Sequence, residues 1–171
     1  FGYSAALPQI LKKSGINYFL TQKLSWNQFN EFPHHTFKWR GIDGTEILTH
    51  FPPENTYNSE LDTEFLIPAQ NHFKEKDRIN EFISLFGVGD GGGGPKPENI
   101  ELGRRMKNLE NSPSVTFGTA KNFFHRLDRH RDDIETWVGE LYLELHRGTL
   151  TTHALVKKQN RKLENKLRIV E

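Results

Sequence analysis

The densest chemistry in this sequence lies in the glycine loop at 87–95, Gly-Val-Gly-Asp-Gly-Gly-Gly-Gly-Pro. Gly87, Gly89 and Gly92 satisfy G-x-G-x-x-G between a predicted strand and a predicted helix, the setting of a dinucleotide-binding turn. Two features count against that reading. Asp90 would put a carboxylate where a pyrophosphate must sit, and Pro95 and Pro97 push the helix start away from the glycines. In the other reading Asp90 is the point of the loop. Glycines let the backbone bend and a ligand come close. One carboxylate raised at the end of a buried strand is then placed for general acid or base work. A surface loop with a turn aspartate has the same spacing, and spacing alone leaves both readings open. Glu140 and Glu144, with Tyr142 between them, are expected on one face of a strand over 138–145. That face could line a sugar site or meet solvent, and His146 and Arg147 come just past its end. The eight histidines give no chelating pattern. His34 and His35 are adjacent, His146 and His153 share no helical frame, and neither H-x-x-x-H nor H-E-x-x-H occurs, so no metal ligand is expected from spacing. There is no G-x-S-x-G.

The elements that must position these groups follow from periodicity. Residues 5–14 read as a helix with Leu7, Ile10 and Leu11 on one face, Pro8 in its first turn and Gly15 as its stop. Residues 16–20 read as a short buried strand that delivers Thr21, Gln22 and Lys23. The stretch 26–35 carries aromatic residues without a period and reads as a loop. Thr36 to Arg40 and Glu46 to Phe51 read as a hairpin turned at Asp43-Gly44. Pro52-Pro53 ends the second strand, and a loop holding Tyr57 and Asn58 runs to Ser59. Residues 62–76 are weakly helical, 82–86 read as a strongly buried strand, and 98–109 as an amphipathic helix. A short strand at 114–117, a helix over 120–128 capped by Thr119, the strand 138–145 and a last helix from about Thr152 to Glu171 complete the chain. That helix carries Leu155, Val156, Leu163, Leu167 and Val170 as its apolar stripe. This order is α/β, produced either by an open parallel sheet or by part of a barrel.

Composition narrows the classes. The chain has 171 residues, enough for one domain with a core. A net charge of +1 with 26% charged residues gives no electrostatic footprint for nucleic acid or an anionic membrane, and no apolar run is long enough to span a bilayer. There is no cysteine, which fits a reducing compartment. Hydrophobic residues make up only 35% while aromatics reach 12%, with a mean hydropathy of −0.70. Few aliphatics beside many rings and polar groups suit a carbohydrate site, where rings stack on sugars and polar groups bond hydroxyls. A non-catalytic carbohydrate-binding module would share that composition. The start at Phe1 rather than Met and the end inside a helical pattern suggest a piece of a longer protein.

Several strings occur together and in order: Phe1-Gly-Tyr-Ser-Ala-Ala-Leu-Pro-Gln9, Thr21-Gln-Lys-Leu-Ser-Trp-Asn27, Phe32-Pro-His-His-Thr-Phe37, Gly41-Ile-Asp-Gly44 and Thr49-His-Phe-Pro-Pro53. Gly89-Asp-Gly-Gly-Gly-Gly-Pro95, Trp137-Val-Gly-Glu-Leu-Tyr-Leu-Glu-Leu-His146 and Gly148-Thr-Leu-Thr-Thr-His-Ala154 follow. With these the chain resembles the α-mannosidases of glycoside hydrolase family 38, most of all the cytosolic neutral type that trims free oligosaccharides. The resemblance implies a retaining α-mannosidase in the cytoplasm, acting on mannose-containing oligosaccharides and carrying a divalent metal, zinc or cobalt. It implies an irregular seven-stranded α/β barrel, with residues 1–150 its C-terminal part and 151–171 the first helix leading towards a helical bundle. Retaining glycosidases use two carboxylates ~5–5.5 Å apart. By the matched motifs the nucleophilic aspartate and every metal ligand lie outside this chain, so the piece alone is expected to be inactive and to need the remainder of its polypeptide. Homo-oligomerisation is left open. Asp90 falls at the acid/base position, and Lys23 where relatives place a basic residue reaching the sugar. Tyr57 and Asn58 match a substrate-contacting Tyr-Asp pair, with Asn in place of Asp. Glu140, Glu144 and His146 lie at a strand end expected to face the site.

Overall fold

A computed structural model describes residues 2–150 and 153–171, with the side chains of 149 and 150 left out. Four strands, β1 (Tyr18–Leu20), β2 (Thr36–Arg40), β3 (Glu46–His50) and β4 (Thr136–Val138), form one sheet in the order β1-β3-β2-β4. β1 lies parallel to β3, β2 antiparallel to β3, and β4 parallel to β2. The sheet is therefore mixed rather than wholly parallel, because the hairpin contributes two of its four strands. The hairpin forms as expected. Gly41 N–H donates to Thr45 O, Asp43 Oδ1 accepts from Thr45 N–H, and Gly44 takes a φ of +83°, a left-handed position that glycine adopts without strain.

Alternation along the strands sends side chains to two cores. On one face, Leu48 with Tyr18 and Leu20 meets Phe73, Phe123, Phe124 and Leu127. These come from the end of α2 (Thr63–His72), capped by Asp62, and from α4 (Ala120–Leu127), capped by Thr119. On the other face, Phe37, Trp39 and Ile47 pack with Leu24, Phe51 and Leu141, and with Leu7 and Leu11 of α1 (Leu7–Lys13). Phe37, Trp39, Ile47 and Leu48 are wholly buried, and burying each such side chain contributes about 1.5–3 kcal/mol. Ile10, expected on the inner face of α1, points outward.

Three expectations are corrected. Residues 82–86 form no ladder and are only partly buried; their backbone is satisfied instead by His50 Nε2, which accepts from Ile83 N–H, and by Ser59 N–H, which donates to Leu85 O. Residues 114–117 are not a strand, and Val115 N–H donates to Met106 O beyond the end of α3 (Pro97–Arg105). The strand expected over 138–145 stops at Val138. Gly139, at φ +115°, turns the chain, and its carbonyl accepts from Trp39 Nε1; Leu141 then bridges Tyr3 in antiparallel sense. The last helix forms as expected as α5 (Ala154–Val170); it buries none of its residues, so its apolar stripe faces outward. The expected helix start at Thr152 lies outside the described residues.

Candidate functional site

The site lies at the end of the sheet where β1 and β3 both finish. After Leu20 the chain enters a 3-10 turn, Lys23–Trp26. Thr21 Oγ1 anchors this entry, 2.6 Å from Tyr3 Oη and 3.3 Å from the Lys23 amide that donates to it. The turn folds the Lys23 ammonium over the Trp26 ring, 3.6 Å from its centroid, with the Tyr57 ring 5.6 Å away. A cation over a ring face is held by the ring's quadrupole, which fixes the end of an otherwise floppy side chain. After β3, Pro52-Pro53 starts the loop that brings in Tyr57 and Asn58. Glu54 on that loop is partly buried, and burial raises its pKa against the bond that Ser59 Oγ donates to its Oε1 at 2.7 Å.

The glycine loop meets these two segments. Val88 and Gly93 exchange two backbone bonds of 3.2 and 2.9 Å and so close a narrow turn. At its tip Gly91 N–H donates to Gly89 O at 2.7 Å around Asp90, whose φ is +57°. Proximity to the Asp90 carboxylate, which favours the protonated hydroxyl, raises the Tyr57 pKa, with burial and the aspartate's charge adding to it. Asn58 Oδ1 accepts from Gly89 N–H at 2.7 Å. His146 closes the group, its ring 6.3 Å from Trp26. Of the five non-glycine residues at positive φ among those described, Asn55, Asp90 and His146 belong to these segments. Backbone conformations of this kind persist only where surroundings hold them.

The expected site residues therefore divide. Asp90, Lys23, Tyr57, Asn58 and His146 come together. Glu144 lies close by but is committed elsewhere. It is 6% exposed and accepts from the amides of Phe29 and Asn30, at 2.7 and 3.0 Å, and from the Asn30 side chain. Those bonds hold its pKa down to about 2, the Asn30 side chain first and the two amides next. Glu140 sits at the opposite end of the sheet. Its carbonyl accepts from Trp137 Nε1, and it follows Gly139, whose amide bonds Arg40 beside the hairpin turn. The two glutamates do not share a strand face, because the strand ends before either of them. Trp26 was missed by sequence reasoning, and the Lys-x-x-Trp spacing that stacks Lys23 on it was the available signal; Gly89 was read only as one glycine of the loop. A cavity of about 330 Å³ borders the same end, lined in part by Gln22, Ser25, Asn27, Phe29, Asn55 and His72.

The glycine loop does not make a dinucleotide turn. Gly87 to Gly93 close on themselves, and α3 starts only at Pro97, so no helix N-terminus lies behind the glycines to receive a pyrophosphate. Among the described residues no group of three or more His, Cys, Asp or Glu side chains could hold a metal ion; by themselves they do not make a metal site. No helix among them is long and apolar enough to cross a membrane.

The model of the family described as "Glycosyl hydrolases family 38 N-terminal domain" matches residues 1–140. Across all 171 residues the chain is 50% identical to "Alpha-mannosidase G" of Dictyostelium discoideum and 47% identical to "Alpha-mannosidase 2C1" of Homo sapiens, covering 16% of each. It is 42% identical over 180 residues to "Alpha-mannosidase" of Saccharomyces cerevisiae, covering 17% of that protein. The chain thus spans only about a sixth of the length of these relatives.

Proposed function

The chain belongs to glycosyl hydrolase family 38, and from that premise we propose that it is a segment of the catalytic region of a retaining α-mannosidase that hydrolyses α-mannosidic bonds of free or N-linked-type oligosaccharides. The observation that carries this reading is the convergence of Asp90, Tyr57 and Lys23 at one end of the sheet. Asp90 is the acid/base. It gives its proton to the leaving glycosidic oxygen and then takes one from the incoming water. Lys23 and Tyr57 offer hydrogen-bonding groups to sugar hydroxyls, and Trp26 supplies an aromatic wall. His146 stands at the rim. Glu144 acts behind this group by holding the 29–30 loop, and Glu140 has no part in it.

The attacking carboxylate comes from the remainder of the polypeptide. So do the ligands of a divalent metal, zinc or cobalt, that the intact enzyme carries. Residues 1–150 are read as part of an α/β barrel and 151–171 as the lead into a helical bundle. The proposed location is the cytoplasm, as the resemblance to the neutral cytosolic type implies, and assembly into a homo-oligomer is compatible with this reading. No geometry among the described residues favours a non-catalytic sugar-binding role over hydrolysis.

The test is Asp90→Asn in the intact enzyme. Hydrolysis of a natural oligosaccharide should fall about 10²–10⁴-fold, the range general acid–base catalysis supplies, with the fold intact by circular dichroism. Undiminished hydrolysis would remove Asp90 from the mechanism.

A further inference from the structure

The segment 57–58 and the glycine loop are about thirty residues apart in sequence yet touch through two complementary contacts. Asn58 Oδ1 accepts the Gly89 amide proton at 2.7 Å. A Cβ built on Gly89 would fall 2.0 Å from Tyr57 Cε2, 2.4 Å from Cδ2 and 2.8 Å from Asn58 Oδ1. The tyrosine ring therefore occupies the place of a side chain at 89, and no residue but glycine fits there without moving it. On the far side of the loop the Val88·Gly93 bridge pins the other edge. Asp90, in between, has a φ of +57° and sits at the centre of a three-residue turn closed by Gly91 N–H to Gly89 O. That conformation is uncommon for a non-glycine residue. It needs both flanks fixed, since release of either lets the backbone relax and swings the carboxyl away.

From this geometry we infer that Asn58, acting through the Gly89 amide, is a positioning residue that sets the direction of the Asp90 carboxyl, with the Tyr57 ring as the matching steric stop. This rests on Asp90 being the acid/base. It assigns Asn58 a purpose other than contact with the sugar: its carbonyl oxygen is already engaged by the loop. An aspartate at 58 would offer the same kind of acceptor oxygen to the Gly89 N–H.

The experiment uses the intact enzyme and two substrates that share the same mannose but differ in leaving group, an α-mannobiose and 2,4-dinitrophenyl α-mannoside. For each, kcat/KM reports the step that forms the glycosyl-enzyme. Protonation of the leaving oxygen matters for the first and hardly for the second. Asp90→Ala serves as reference and should lower kcat/KM for the mannobiose about 10²–10⁴-fold while largely sparing the dinitrophenyl substrate. Asn58→Ala should reproduce that split in weaker form, about tenfold or more on the mannobiose, within the range of a partly misdirected acid. Asn58→Asp should restore the wild-type ratio. Asn58 is exposed, so its truncation leaves the fold intact. Equal loss on both substrates in Asn58→Ala marks a direct contact with the shared mannose and overturns the inference, as does no loss on either. Absence of the split in Asp90→Ala overturns the acid/base reading, and this inference with it.

Discussion

Two buried histidines show how single residues tie this fold to pH. His50 is wholly buried, with Nε2 accepting the Ile83 amide and Nδ1 2.8 Å from Thr36 Oγ1. Nδ1 must therefore carry the proton and donate to the hydroxyl, which makes the ring neutral. His35 is 5% exposed and its Nδ1 accepts from Lys74 N–H. Burial lowers both pKa values, His50 well below the ordinary value and His35 to about 3, the latter helped by neighbouring His72 and Lys74. The folded pKa lies below the unfolded one of ~6.5. Stability is thus fully present above that value and is lost as pH falls from it towards 3. Each histidine contributes a slope of about 1.4 kcal/mol per pH unit in that window. Glu54, raised by burial, acts in the opposite sense just above the ordinary carboxylate range. Denaturant unfolding at pH 7, 5.5 and 4 should show the acid loss, and His35→Gln should flatten the slope by one proton. An unchanged slope in that variant would mean His35 takes no part. At this scale the sequence placed Asp90 in a glycine loop, Lys23 just past a strand and Tyr57 in a loop, and the structure has them so, while the roles proposed for them come from the family resemblance. The Asn58–Gly89 contact was not legible, because a side-chain acceptor meeting a distant amide leaves no local pattern.

Elements were read best where turn chemistry and period agreed. Asp43-Gly44 between two five-residue strands, and Thr119 as a cap, each have a local cause and were found; the Asp62 cap was not. Residues 138–145 misled because alternation is only half of a strand. Leu141 and Leu143 are buried as expected, but Glu144 is buried too and Leu145 is turned outward. The carboxylate goes inside because a separate loop offers it donors. Asn27 ties the same two segments again: its Oδ1 accepts from Glu144 N–H, and its Nδ2 donates to Tyr142 O. Residues 27–30 and 142–144 are thus one latch. Glu144→Ala should free it, and amide exchange at Phe29 and Asn30 should accelerate at least about tenfold, as local opening no longer breaks those bonds. Exchange at Phe37 and Trp39 in β2 should not change. Equal protection in the variant would show that the asparagine bonds suffice. The apolar run 82–86 misled for a different reason: hydrophobicity drew a strand, but the groups its backbone found were the His50 ring and the Ser59 amide.

At the scale of the molecule the two sheet faces and their helices make a connected core, while α5 stands outside it. Leu155, Leu163, Leu167 and Val170 are 59–85% exposed. Removing residues 154–171 should therefore leave the unfolding midpoint of the chain within about 2 °C, since surface changes away from packed features stay within about 0.5 kcal/mol. A large drop would mean the helix packs in solution. The α/β class was legible because helical and strand periods alternate along the chain. The strand order was not, since nothing local says that β4 would lie beside β2. That order and the Tyr3–Leu141 bridge carry a kinetic consequence. Gly2 and Tyr3 end up beside residues 141–143, and β2 beside β4, so these earlier segments must wait until 136–143 have been made before they meet these partners. Closing so long a loop comes before the contacts that reward it. During synthesis the hairpin can form early, while the aromatic residues of the Tyr3, Trp39 and Trp137 neighbourhood stay uncovered until residue 141 arrives, so this is the interval in which a nascent chain most needs a chaperone.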